Sequence, residues 1–157
     1  MGSELNIVMS SPVNPATRRA VHDAATQKWP FIRFPRSENR YPDSVLFALP
    51  ELTPYLFHDN ADYELAVEQC GEVEDDLPQL STQFPEVFFA YIEADCVGGT
   101  CLYDGYCCCD GKIFFAVDRP NEDSHDVLLE RIGINPPGRF APFKRGYFLG
   151  VGSGGFE

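Results

Sequence analysis

The run from Glu86 to Val117, EVFFAYIEADCVGGTCLYDGYCCCDGKIFFAV, constrains the fold more than any other part of the chain. From residue 87 its side chains alternate: Val87, Phe89, Tyr91 and Glu93 share one face of an extended strand, and Phe88, Ala90, Ile92 and Ala94 share the other. Both faces stay largely apolar as far as Ala94, which predicts a strand buried on both sides at the centre of a sheet. Gly98–Gly99 predicts a turn with positive φ, and Asp110–Gly111 predicts a tight hairpin turn. The sequence therefore predicts a three-stranded antiparallel meander over residues 87–118.

The flanking sequence supplies helices to cover such a sheet. ELNIVMS, residues 4–10, reads as a first strand. In SSPVNPATRRAVHDAATQKWP, Asn14 is placed to cap a helix, Pro15 suits its first position and Pro30 stops it. FIRFP and SVLFALP are candidate strands, separated by the polar turn RSENRYPD. Ala61–Cys70 reads as a short helix or a strand that Gly71 ends, and Asp75–Phe84 reads as a separate helical turn segment. NEDSHDVLLERIGI reads as a helix, with acids at its start, Arg131 near its end and Gly133 closing it. The Pro/Gly-rich segment after it offers one last short strand, and residues 150–157 read as a flexible tail. The 157 residues show no repeat and no dividing linker. The expectation is one α+β domain, an antiparallel sheet with helices packed on it.

Charge is the next constraint. The formal net charge of −12 is unevenly spread. Residues 1–40 hold six bases against three acids, residues 41–111 hold fifteen acids and no Lys or Arg, and residues 112–157 hold six of each. A central segment without a base presents a negative field that its own ion pairs cannot cancel. Such a field repels nucleic acid and anionic membrane, and attracts and steers a basic protein partner. The densest acidic run with an aromatic residue is Asp59, Asp62, Tyr63, Glu64, Glu72, Glu74, Asp75 and Asp76; with Glu93 and Asp95 these form the expected partner-binding set. Glu93 and Asp95 lie at i, i+2 and so share a strand face, with Asp104 and Asp110 as possible neighbours.

No complete catalytic signature is present, so no catalytic residue is assigned, and a non-enzymatic role is favoured. His22, His58 and His125 carry no local motif that pairs one of them with a thiol; His125 reads as a solvated or capping residue. Five of the six cysteines fall between residues 90 and 117. One alternative is a zinc-binding protein or cysteine-dependent enzyme using Cys96, Cys101, Cys107 and Cys109, although consecutive cysteines are not the paired knuckles of a structural zinc site. The simpler reading makes the cysteines small buried apolar residues, with Cys107 and Cys109 on one strand face and Cys108 on the other. Disulfides are a third possibility. No apolar run reaches membrane-spanning length, the N-terminus has the wrong order of charge and hydrophobicity for a secretory signal, and Asn6 stands where a myristoylation signal wants Ser or Thr. The expected compartment is the cytoplasm.

The residues Tyr91, Ile92, Glu93, Asp95, Gly98, Gly99, Gly105, Asp110, Gly111 and Ile113, followed by Leu128 and Gly133, resemble a pattern in small bacterial toxin-immunity-like proteins. The resemblance covers roughly the last 70 residues. It implies tight binding of a cognate toxin, with no chemistry performed; separately, no cofactor is expected.

Overall fold

The structure is a computed structural model and describes residues 2–35, 41–52, 59–98 and 100–135. Within it the alternation at residues 87–94 becomes the middle of a sheet. The strands are β1 (Gly2–Ser10), β2 (Leu46–Ala48), β3 (Phe89–Val97), β4 (Thr100–Cys109) and β5 (Lys112–Ala116). They are ordered β2-β1-β3-β4-β5, and every pairing is antiparallel. The predicted meander is β3-β4-β5, and β3 is the central strand. At the β4–β5 turn Asp110 and Gly111 both have positive φ, 48° and 80°. This is the pair of left-handed residues that a two-residue hairpin requires.

Helices α1 (Pro15–Lys28) and α2 (Asn60–Ser81) cover one face of the sheet, and α3 (Ser124–Arg131) covers the other. On the first face Val8, Phe47, Phe89, Tyr91, Tyr106 and Cys108 meet Val21 and Ala25 of α1, Trp29 just beyond it, and Cys70, Val73, Leu77 and Leu80 of α2. On the second, Ile7, Met9, Ile92, Ala94, Tyr103 and Cys107 meet Leu128 and Leu129 of α3. The result is an α+β domain with a sheet between two helical layers. The alternation predicted for Cys107 and Cys108 holds: Cys107 faces α3, and Cys108 faces α1 and α2, while Cys109 at the end of β4 donates its Sγ–H to the Pro85 carbonyl at 3.4 Å.

The N-terminal signals of α1 act as expected. The Asn14 side chain accepts a hydrogen bond from the Thr17 N–H at 2.8 Å, and Pro15 opens the helix. FIRFP is not a strand; Arg33 and Pro35 form only isolated bridges, that of Arg33 to Ala48 on β2. Residues 61–84 are corrected more substantially. α2 is one helix of 22 residues that runs through both Gly71 and Pro78. Proline has no N–H, so the carbonyl four residues earlier loses its helical donor. Here that carbonyl belongs to Glu74, and the Tyr106 hydroxyl on β4 donates to it instead. The helix survives its proline because the sheet supplies the missing donor. A second sheet tyrosine, Tyr91, stacks on Tyr106 with ring centroids 5.6 Å apart, and its hydroxyl donates to the Cys70 carbonyl at 3.4 Å.

The α3 prediction holds, including Gly133 at positive φ just past its end. His125 is neither solvated nor a cap: it is buried, 5.2 Å from the Tyr103 ring, and its Nδ1 lies 3.0 Å from Asp126. His58, residues 36–40 of the polar turn, and the closing segment with its expected strand and tail lie outside the described residues.

Candidate functional site: an acidic helix face and an acidic sheet shelf

α2 buries a stripe made by Ala66, Cys70, Val73, Leu77 and Leu80. The helical period then sends Glu64, Glu68, Glu72 and Asp75 outward and leaves Asp76 half-buried at the edge of the stripe. Glu64, Glu68, Glu72 and Asp76 follow one another at i, i+4 spacing, so each adjacent pair is a like-charge pair, unfavourable by about 0.2–0.5 kcal/mol. α2 contains no Lys or Arg, and none of these acids makes an ion pair among the described residues. Leu65 and Val67 are 52% and 42% exposed on the same helix. Three other members of the expected set have local structural jobs. Asp59 caps α2, accepting from the Asp62 N–H at 2.9 Å. Asp62 lies in the first turn, where an acid favours the helix dipole. Tyr63 packs against the core cluster beneath α2, so it is not a free aromatic anchor.

A second group of acids lies where α2 leaves the sheet uncovered. On the α2 side of the sheet the register sets Glu4 of β1 opposite Asp95 of β3, Asn6 opposite Glu93, and Glu93 opposite Asp104 of β4. Cross-strand neighbours of this kind have Cβ atoms about 4.5–5.5 Å apart, a distance at which like charges repel. Glu74, exposed on the flank of α2, completes the cluster through its charge interaction with Glu93 and Asp104. Glu93 responds most. Burial, followed by the carboxylates of Glu74, Asp104 and Glu4, pushes its pKa up to about 7. Glu4 is raised by burial and by Asp95, and Glu74 by burial and by Asp75 and Asp104. The Asn6 side chain is buried beside them, and its Oδ1 has no hydrogen-bond partner.

Gly105 explains how Asp104 reaches this cluster. Its φ is 144°, and a Cβ there would stand 1.9 Å from the Tyr91 carbonyl oxygen, so only glycine lets β4 approach β3 this closely. The Gly105 N–H in turn donates to Asp104 Oδ1 at 2.8 Å and fixes the carboxylate. The structure thus joins Glu93, Asp95 and Glu74 from the expected set with Asp104. Asp110 is not part of the group, because it forms the turn at the far end of β4. Glu4, Asn6 and Cys70 were not singled out in the sequence. Only the β1–β3 register and the packing of α2 bring them in.

The four-cysteine zinc set is corrected. Cys96 and Cys101 face each other in the β3–β4 register and are joined by a disulfide. Cys107 and Cys109 lie toward the other end of β4, six and eight residues on from Cys101, or roughly 20–27 Å along an extended strand. Among the described residues, no group of three or more His, Cys, Asp or Glu is disposed to hold a metal. Cys70, Cys107, Cys108 and Cys109 are free thiols. Burial pushes Cys70, Cys107 and Cys108 up to about 12, so they are thiols, not thiolates, at neutral pH.

Among the described residues, no helix is long and apolar enough to cross a membrane. No protein-family model, no curated protein and no solved structure matches the chain.

Proposed function

We propose that this chain is a non-enzymatic acidic binding protein of the immunity or inhibitor type, which neutralises a basic toxin through electrostatic and apolar contacts. The observation that carries the reading is the outer face of α2. Its Glu64, Glu68, Glu72 and Asp75, with Asp76 at their edge, repel one another, pair with no described base, and stand beside exposed Leu65 and Val67. Unneutralised acids next to apolar side chains suit a surface that meets arginine and lysine on a partner. The shelf of Glu4, Glu93, Asp95 and Asp104 lies on the same side of the sheet and extends this surface past Glu74. The resemblance of residues 91–133 to toxin-immunity-like proteins supports the same reading. The proposed compartment is the cytoplasm, to which the free thiols of Cys70, Cys107, Cys108 and Cys109 conform and the Cys96–Cys101 disulfide is an exception.

The test is co-expression with basic toxins encoded beside its gene, scored by growth, with affinity measured at low and at physiological salt. Affinity should weaken by about tenfold or more as salt rises, since the interaction is screened over a Debye length of about 8–10 Å. The double charge reversal Glu68→Lys/Glu72→Lys should abolish protection. Binding indifferent to both salt and charge reversal would defeat the reading.

A further inference from the structure

A concave surface that carries two arginines lies on the other helix that covers the same sheet face. Arg18, Arg19 and His22 project from one side of α1 at i, i+1 and i+4 spacing and line a cavity of about 540 Å³, together with the Asp23 carboxylate, which lies 3.1 Å from His22 Nδ1. Phe34 and the segment Ser44–Leu46 form its opposite wall. We propose that this cavity is a binding site for a small organic oxyanion, a phosphate or carboxylate carried on an apolar body, held by Arg18 and Arg19.

Four observations carry the assignment. First, the volume lies within the roughly 300–1,000 Å³ of ordinary small-molecule sites, and the lining mixes an apolar wall with a few convergent polar groups, as such sites do. Second, the guanidinium of Arg18 is incompletely satisfied. Its Nη1 is buried, without a hydrogen-bond partner, and lies 3.7 Å from Asp43 Oδ1. A guanidinium offers five donors in a fork that matches an oxyanion, so the part of Arg18 that stays exposed, together with exposed Arg19, which makes no ion pair among the described residues, is what meets the ligand. Third, the bases occupy the early part of α1, whose first turn contains no acid. Positive charge there opposes the helix dipole.

Fourth, the walls are held in place. The Ser10 N–H donates to the Val45 carbonyl at 2.8 Å, and the Val45 N–H donates to Ser10 Oγ at 2.8 Å. The Val13 N–H donates to the Asp43 carbonyl at 2.9 Å. The His22 ring lies 4.2 Å from the Phe34 ring, which in turn packs 6.1 Å from Phe47 of the core. A ligand would therefore bind without first ordering the site. The cavity has no part in the acidic surface on α2, and its fate in experiment does not depend on that of the proposed function.

Phenyl phosphate is the probe, with inorganic phosphate and phenol as its two halves, titrated into the isotope-labelled protein and followed by amide chemical shifts. Phenyl phosphate should move the amides of Arg18, His22, Phe34 and Ser44 in a saturable way, with inorganic phosphate weaker and phenol inert. Arg18→Gln should weaken the binding by about tenfold or more, since a charge-assisted hydrogen bond is lost. Arg19→Gln, at an exposed position, should weaken it with the spectrum otherwise unchanged, which separates loss of the site from loss of the fold. Absence of saturable shifts at these residues, or equal binding by both variants and the parent chain, would overturn the proposal.

Discussion

α1 and α2 lie against the same face of one sheet, yet they solve different problems. Each buries one stripe of its surface. α1 does so with Val21 and Ala25 and passes the work to Trp29 beyond its end, whereas α2 buries six residues along 22. Their solvent faces are opposite in sign: Arg18 and Arg19 on α1, and a run of carboxylates on α2. In each helix part of that charge lies where it costs stability, the bases toward an N-terminus and the acids in like-charge pairs. Two neighbouring helices with the same packing duty and opposite, locally unfavourable charges indicate that these outer faces answer to something other than folding.

The comparison breaks first if the two helices do not differ in how firmly they hold the sheet. Leu77 is fully buried at the centre of the α2 stripe, so Leu77→Ala should cost about 2–5 kcal/mol in urea unfolding. Val21→Ala on α1 removes fewer carbons and should cost about 2 kcal/mol. The reverse order would mean that α1 is the principal cover.

The next effect isolates the way α2 tolerates a proline. Tyr106→Phe removes the donor to the Glu74 carbonyl, which Pro78 leaves without a helical partner. The cost should be about 1–3 kcal/mol, the penalty for a polar group left unsatisfied away from water. In a Pro78→Ala background, where residue 78 regains its N–H, the same substitution should cost clearly less. A double-mutant cycle with no coupling would remove the explanation.

This contact also shows where the sequence could be read and where it could not. The meander was legible because its two signals are local: alternation on β3 and the Asp110–Gly111 turn. α1 was legible for the same reason, through Asn14, Pro15 and Pro30. α2 was not, because Gly71 and Pro78 are genuine local breakers, and the group that rescues the helix lies 32 residues from Glu74, on another element. Likewise Glu93 and Asp95 could be placed on one face, but their neighbours Glu4, Asn6 and Cys70 arrive through a strand register and a helix crossing that no local pattern encodes. The Cys96–Cys101 bridge depends on register too, since the strands must align before the two sulfurs meet.

The acidic shelf beside α2 should make stability depend on pH, and α1 has nothing comparable. Glu93 titrates near 7 in the fold, raised by burial and by Glu74, Asp104 and Glu4, and in the ordinary carboxylate range once unfolded. Between those two values the folded chain binds a proton that the unfolded chain has released. Stability therefore falls as pH rises through this window and levels off above about 7. Glu4 and Glu74 are shifted in the same direction and add to the trend. Because Glu93 is only half buried, solvent screening reduces its share to on the order of 1–2 kcal/mol. Urea midpoints should be higher at pH 5 than at pH 8, and Glu93→Gln should flatten the slope. A slope unchanged by that substitution would assign the effect to other carboxylates.

The smallest effect tests the charge pattern itself. Glu68 has Glu64 one turn before it and Glu72 one turn after. Glu68→Lys converts two repulsive i, i+4 pairs into attractive ones and should stabilise the protein by about 0.5–1 kcal/mol. On α1, Arg19→Gln relieves a base early in the helix but forfeits its i, i+4 relation to Asp23, so it should fall within about ±0.5 kcal/mol of the parent. A surface substitution that stabilises the fold while weakening capture of a basic partner would separate the two demands on α2. If Glu68→Lys instead destabilised the chain, those acids would be serving the fold, and the case for a surface kept in reserve for a partner would lose its main support.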